Sequence, residues 1–270
     1  MLLQRVLVVI VLLPIGLTLI YFGGPAYVAL IALILGLAAW EYAKLFRAAG
    51  FRPAGVLLVS GTLAITLGRA ANGFESAHWI IGLLILISMS YHLIAYERGH
   101  EQAGTDFAIT MSGALYIGWL GAYLISLRDL PDGLWWILLA LPAVWLADSG
   151  AYFIGRRFGR HQLSPRLSPK KTWEGYIGGI VTGALGGALL AYAWNRLAPG
   201  VMTPWQGAVL GLVLSVLTPL GDLGESMIKR QVGIKDSSNL IPGHGGAFDR
   251  IDSWLWGGVI GYYVITWFFL

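Results

Sequence analysis

The sequence predicts an all-α fold, a polytopic integral membrane helix bundle of about nine transmembrane helices. Three observations lead there. Charged residues make up 12% of the chain and hydrophobic ones 57%, with mean hydropathy +0.70, whereas a soluble globular protein carries about 25% charge. Apolar stretches of about 20 residues, the length that crosses a bilayer, recur from one end to the other. Lys and Arg collect in alternate connections between those stretches. The chain has no cysteine, which excludes a disulfide framework, Cys-ligated zinc and thiol catalysis.

In order, the apolar stretches are residues 5–22, 25–46, 54–70, 77–96, 105–127, 133–155, 175–197, 204–221 and 253–270. The third and eighth are short. The first is too long for a signal-peptide core and no small-residue cleavage site follows it, so a retained span is expected. Pro14 and Pro142 fall inside spans, where neighbours can satisfy the freed carbonyl. The seventh stretch carries Gly175, Gly178, Gly179, Gly183, Gly186 and Gly187. Small residues let helices approach closely, so this span is expected inside the bundle.

Orientation follows from the basic residues. With the N-terminus inside, the cytoplasmic segments hold Arg5, Lys44, Arg47, Arg52, Arg98, Arg156, Arg157, Arg160, Arg166, Lys170, Lys171, Lys229, Arg230, Lys235 and Arg250. Only Arg69, Arg128 and Arg196 remain outside. Residues 1–130 then form N-terminal transmembrane helices. Residues 131–270 form a catalytic region with cytoplasmic loops 156–174 and 222–252. No internal repeat or separate soluble domain is visible, and residues 1–130 show no recognisable site.

Polar chemistry concentrates between Ser226 and Asp252, SMIKRQVGIKDSSNLIPGHGGAFDRID. If the eighth span continues as a helix, Asp222, Glu225, Ser226, Lys229 and Arg230 share one face. A solvated amphipathic extension explains the last of these but not Asp222, which follows directly on an apolar run; a carboxylate there faces a cavity or a metal. Further on come Lys235 and Asp236, then the turn Gly243-His244-Gly245-Gly246, then Asp249, Arg250 and Asp252. A glycine turn before a helix start offers backbone N–H groups to phosphate. Asp249 and Asp252 lie one helical turn apart and can hold a cation. The glycines alone are weak evidence; with the flanking Asp, Arg, Lys and His they are strong.

Two further segments join this set. In LSPKKTWEG, Lys170 and Lys171 can bind phosphate, and Glu174 can hold a metal or orient a lysine. Arg156, Arg157 and Arg160 read as a positive-inside anchor. Asp148, inside the sixth span, carries a functional role by default. His78, His92, His100 and His161 lack metal-ligand partners at useful spacing and read as interfacial residues.

The pattern Ser226, Lys229, Arg230, Lys235, Asp236, His244, Gly245, Gly246, Asp249, Arg250 and Asp252 resembles the motif of the phosphatidate cytidylyltransferase family, S-x-x-K-R-x4-K-D followed by H-G-G-x-x-D-R-x-D. SPKKTWEG and Asp148-Ser149 also look like that family, so the resemblance extends over the C-terminal half. It implies a magnesium-dependent enzyme joining CTP and phosphatidic acid into CDP-diacylglycerol and pyrophosphate. On that resemblance, Asp222 and Asp249 hold Mg²⁺, with Asp148 and Asp252 as further candidates and room for a second cation. Lys170, Lys171, Lys229, Arg230 and Lys235 contact phosphates. His244, Gly245 and Gly246 shape the phosphate turn, and Glu174, Asp236 and Arg250 support it or read the base. The expected partners are CTP, phosphatidic acid and membrane lipids, with a homodimer as one arrangement and no nucleic acid. The expected place is the bacterial inner membrane with the site facing the cytoplasm. Two other readings fit part of the pattern: a CTP-dependent lipid-alcohol (polyprenol-type) kinase, and a membrane transporter.

Overall fold

The computed structural model describes residues 2–238, 240 and 245–270, with side chains from residue 10 onward. Each of the nine apolar stretches is helical. Among the described residues, seven helical stretches are long and apolar enough to cross a membrane: 24–48, 55–72, 77–97, 103–128, 133–158, 173–197 and 204–231. The chain is thus an all-α polytopic membrane protein. The first helix, α1 (Leu2–Phe22), and the last, α11 (Phe248–Phe268), complete the set. At 21 residues, α11 reaches about 30 Å, but its Gly, Tyr, Trp and polar residues dilute its hydropathy.

The chain divides into two compact units, residues 1–126 with 228–251, and residues 127–227 with 252–270. The first contains α1, α2 (Gly24–Ala48), α3 (Gly55–Asn72), α4 (Ala77–Glu97) and α5 (Ala103–Gly113). A wider π-type stretch, Ala114–Trp119, prolongs α5 before the chain turns into α6 (Tyr123–Arg128). Ile65, Ile80, Leu84, Met111, Ala114 and Ala122 form a buried apolar cluster here. Arg69 is buried as well: its guanidinium lies over Phe74 at 3.6 Å and Trp119 at 4.5 Å and donates to Ser126 Oγ. Aromatic faces replace water around the charge.

The second unit is built on α7 (Gly133–Phe158), α8 (Trp173–Leu197) and α9 (Pro204–Leu217). The glycine face of α8 does what small residues predict. A Cβ on Gly187 would stand 2.2 Å from the Gly207 carbonyl oxygen, and one on Gly211 would stand 2.2 Å from that of Gly183. Backbones meet there with no room for a side chain. The opposite face of α8 exposes Trp173, Ile177, Val181, Leu185 and Leu189, spaced four apart.

Between α7 and α8 the chain makes a short antiparallel hairpin, β1 (Gln162–Ser164) and β2 (Ser168–Thr172), pairing Gln162 with Thr172 and Ser164 with Ser168. Thr172 then caps α8 by accepting from Gly175 N at 3.2 Å. After α9, Pro219 starts a new helix, α10 (Pro219–Gln231). Proline removes a backbone donor, and the helix restarts instead of running on.

Candidate active site

In the second unit, β2 carries Lys171 to α10. Its Nζ donates to Asp222 Oδ2 at 2.5 Å, and Ser226 Oγ, one turn along α10, lies 3.4 Å from Asp222 Oδ1. α10 is helical over 219–231 and brings together Asp222 and Ser226, two of the five residues expected on one face. Lys171 and Asp222 keep 29% and 35% of their side chains exposed, so solvent and ligands can reach both. Asp148 lies exposed on α7. Glu174 holds the base of the hairpin: it accepts from Arg160 N at 3.0 Å, His161 N at 3.3 Å and His161 Nδ1 at 2.6 Å.

In the first unit, Lys229 donates to Asp249 Oδ1 at 2.8 Å. These side chains are 13% and 6% exposed. Asp249 Oδ2 also accepts from Ser237 N at 3.0 Å, Ser237 Oγ at 3.0 Å and Gly246 N at 2.8 Å. A carboxylate has about four acceptor sites, and Asp249 meets Lys229, two backbone N–H groups and, in competition with Glu41, the Ser237 hydroxyl. Asp249 thus acts as a cap on the start of its own helix.

This alters the expected phosphate turn. The N–H of Gly246 is held by Asp249, and those of Ala247 and Phe248 by Glu41, at 3.1 and 2.9 Å. The helix start that the sequence offers to phosphate is occupied by two carboxylates of the chain itself. His244 lies outside the described residues. Gly245 adopts φ +79° with a virtual Cβ 2.5 Å from Asp249 Oδ2, so both its conformation and its surroundings require glycine.

Lys170, Arg230, Lys235, Asp236 and Arg250 are exposed. Their ammonium, guanidinium and carboxylate groups surround the two pairs in sequence without being locked by them. Asp252 Oδ1 accepts from Ser253 N at 2.6 Å. Among the described residues, no three His, Asp or Glu side chains converge to hold a metal ion. Mg²⁺, however, uses one or two carboxylates plus substrate phosphates. Asp222 fits that demand better than Asp249, because it is more open and holds fewer donors.

Two of the residues read as interfacial make defined polar contacts, and one of them is buried. His92 is buried at 2% exposure, with Nδ1 2.7 Å from the Ser88 carbonyl oxygen. His100 Nε2 lies 2.5 Å from Asp106 Oδ2, a fully buried carboxylate that also accepts from Arg52 N. Glu41, in a stretch that reads as plain span, is the functional candidate the sequence conceals.

A model described as "Cytidylyltransferase family" matches residues 3–268 of the chain. A Pseudomonas aeruginosa protein named phosphatidate cytidylyltransferase is 37% identical over 261 residues, covering 94% of this chain and 93% of its own. One of the same name from Synechocystis is 32% identical over 297 residues, covering 97% and 96%. Another from Staphylococcus haemolyticus is 32% identical over 253 residues, covering 93% and 94%.

Proposed function

This chain belongs to the cytidylyltransferase family, and on that premise we propose how its own residues bring about CDP-diacylglycerol synthesis. It is a membrane-embedded nucleotidyltransferase of phospholipid biosynthesis, and its substrates are CTP and phosphatidate. An oxygen of the lipid phosphate attacks the α-phosphorus of CTP. The bond from that phosphorus to the bridging oxygen of the β-phosphate breaks, and pyrophosphate leaves with the electron pair. The nucleophile is already an anion, so no general base is needed. The difficulty is bringing two polyanions together.

The observation that supports these residues is the pairing of a lysine with an aspartate in each polar segment, Lys171 with Asp222 and Lys229 with Asp249. In an otherwise apolar chain these are the groups suited to phosphates and to a cation. Lys171, being reachable, binds phosphate of one substrate together with the adjacent, exposed Lys170, while Arg230 and Lys235 are exposed cations beside Lys229 in sequence. Lys229 lowers the cost of approach from its more enclosed position. Asp222 is the first choice to hold Mg²⁺, with Asp249, Asp148 and Asp252 as the remaining carboxylates. Mg²⁺ supplies charge neutralisation on the triphosphate and on the leaving pyrophosphate. Ser226 orients Asp222, and Glu174 steadies the strand that carries Lys171. Arg250 and Asp236 remain candidates for contact with the base.

The site faces the cytoplasm of a bacterial inner membrane, a reading supported by the asymmetry of Lys and Arg. One experiment tests reaction and orientation together. Membrane vesicles of defined sidedness receive CTP labelled at the α- or the γ-phosphate. The α-label is expected in lipid and the γ-label in pyrophosphate, with turnover only where the cytoplasmic face is outward. Transfer of γ-label to lipid would establish the lipid-alcohol kinase instead. Turnover from the other face would reverse the orientation.

A further inference from the structure

Glu41 is fully buried, at 0% exposure, in α2. A carboxylate inside a spanning helix is costly unless donors surround it. Four do. Ser238 Oγ donates to Oε1 at 2.6 Å and Ala247 N at 3.1 Å; Ser237 Oγ donates to Oε2 at 3.0 Å and Phe248 N at 2.9 Å. All four lie 196 to 207 positions further along the chain.

The pattern is specific. Two donors are backbone N–H groups at the start of α11, which have no acceptor within the helix. The other two are consecutive serine hydroxyls. Ser237 also meets Asp249 through its N–H and its Oγ, both at 3.0 Å from Oδ2. One hydroxyl proton serves one carboxylate at a time, so Ser237 holds Asp249 through its N–H and can give its Oγ proton to Glu41. Gly246 makes the fit possible: a Cβ there would lie 2.3 Å from Glu41 Oε2 and 2.1 Å from Ser237 Oγ.

We propose that Glu41 is the positioning residue of the nucleotidyl-transfer site, fixing residues 237–238 and 247–248 so that Asp249 and Lys229 stand in their working geometry. It acts through Ser237 and the first turn of α11. This rests on the reading of Asp249 and Lys229 as members of the site.

The test uses the full-length protein in mixed micelles, with CTP and phosphatidate. Glu41→Gln keeps the size but turns an amide donor toward a hydroxyl or an N–H. It is expected to lower kcat of the folded protein on the order of thirtyfold, with KM for CTP changed less than about threefold. Glu41→Asp keeps the charge and is expected to recover part of the loss. A purely structural carboxylate would reduce the folded yield while the folded fraction turned over normally, and that result would overturn the proposal.

Asp249→Asn is measured in parallel. If it retains full activity, the reading of Asp249 fails. If it is inactive while Glu41→Gln turns over normally, only the role of Glu41 fails. In the double variant, Glu41→Gln should add little to the loss from Asp249→Asn, because both act on one element; a full additional loss contradicts a route through Asp249. Should Glu41→Gln not insert, Ser238→Ala removes one donor alone. It is expected to lower kcat about three- to tenfold, and wild-type kcat there would reject the proposal.

Discussion

Lys171 with Asp222 and Lys229 with Asp249 are the same two residue types at hydrogen-bond distance, yet their surroundings differ. The first pair joins β2 to α10 and keeps about a third of each side chain exposed. Among the described residues its aspartate has one further side-chain hydrogen bond, from Ser226 Oγ at 3.4 Å. The second pair is nearly enclosed, and its aspartate accepts from a lysine, a serine and two backbone N–H groups. An exposed ion pair contributes only about 0–1 kcal/mol, whereas breaking an enclosed one costs about 3–5 kcal/mol. The open pair can exchange its partner for substrate or cation at low cost. The enclosed pair gives up its partners only at greater cost, and it also holds the loop before α11. One chemical motif thus serves two purposes, set by burial.

The largest effects expected are those of the aspartates. Asp222→Asn and Asp249→Asn should each lower turnover by at least about a hundredfold, roughly 3 kcal/mol of transition-state stabilisation. The comparison predicts that they differ otherwise. Asp222→Asn should keep its thermal midpoint, and excess Mg²⁺ should restore part of its activity. Asp249→Asn turns an amide toward N–H groups and should also lower the midpoint and speed tryptic cleavage between Lys229 and Arg250. Mg²⁺ should not rescue it. Equal stability and equal rescue in the two variants would erase the distinction. Near-normal turnover in both would remove them as ligands and leave Asp148 and Asp252 to be tested.

The lysines come next. Lys171→Ala should raise KM for CTP or phosphatidate about tenfold, by loss of one charged contact to phosphate, with little change in the thermal midpoint. Lys229→Ala should lower the midpoint as well, since Asp249 is 6% exposed. Steady-state kinetics beside thermal unfolding separates the two. If Lys171→Ala were the destabilising variant, the assignment of open and enclosed pairs would be reversed.

The sequence makes the spans legible because membrane crossing demands long apolar runs, and the glycines of α8 because close packing demands small residues. It also makes α10 legible: Asp222 and Ser226 are four apart, and a helix brings such residues to one face. The pairing of Lys171 with Asp222 is not legible, since 51 positions separate them and no periodicity links a hairpin to a helix. Glu41 is harder still. It is the one acid in the run 25–46, with only Lys44 charged beside it, and apolar neighbours conceal it. The rule that draws attention to Asp148, an acid within a span, applies equally to Glu41, and that was the one available signal. The occupied helix start at Phe248 could not be read either. Glycines before a helix promise open N–H groups, and only the fold reveals a carboxylate from α2 already there.

The smallest effect expected lies one step back from the open pair. Glu174 does not touch Asp222. It accepts the Arg160 and His161 N–H groups and meets His161 Nδ1, closing the base of the hairpin whose second strand carries Lys171. In Glu174→Gln, the amide oxygen can still serve the backbone donors, and the amide nitrogen can face His161 Nδ1 in the tautomer that accepts. The hairpin should hold, and KM for CTP should rise no more than about twofold. Glu174→Ala removes every acceptor. The hairpin base should then loosen, tryptic cleavage at Arg166 and Lys170 should quicken, and KM should rise about three- to fivefold while kcat stays within about twofold, because Lys171 still finds its place part of the time. Limited proteolysis and steady-state kinetics on the two variants check this. An alanine variant that matches wild type in both would show that the hairpin holds Lys171 without Glu174; one that loses kcat instead of KM would put Glu174 among the groups acting on the transition state.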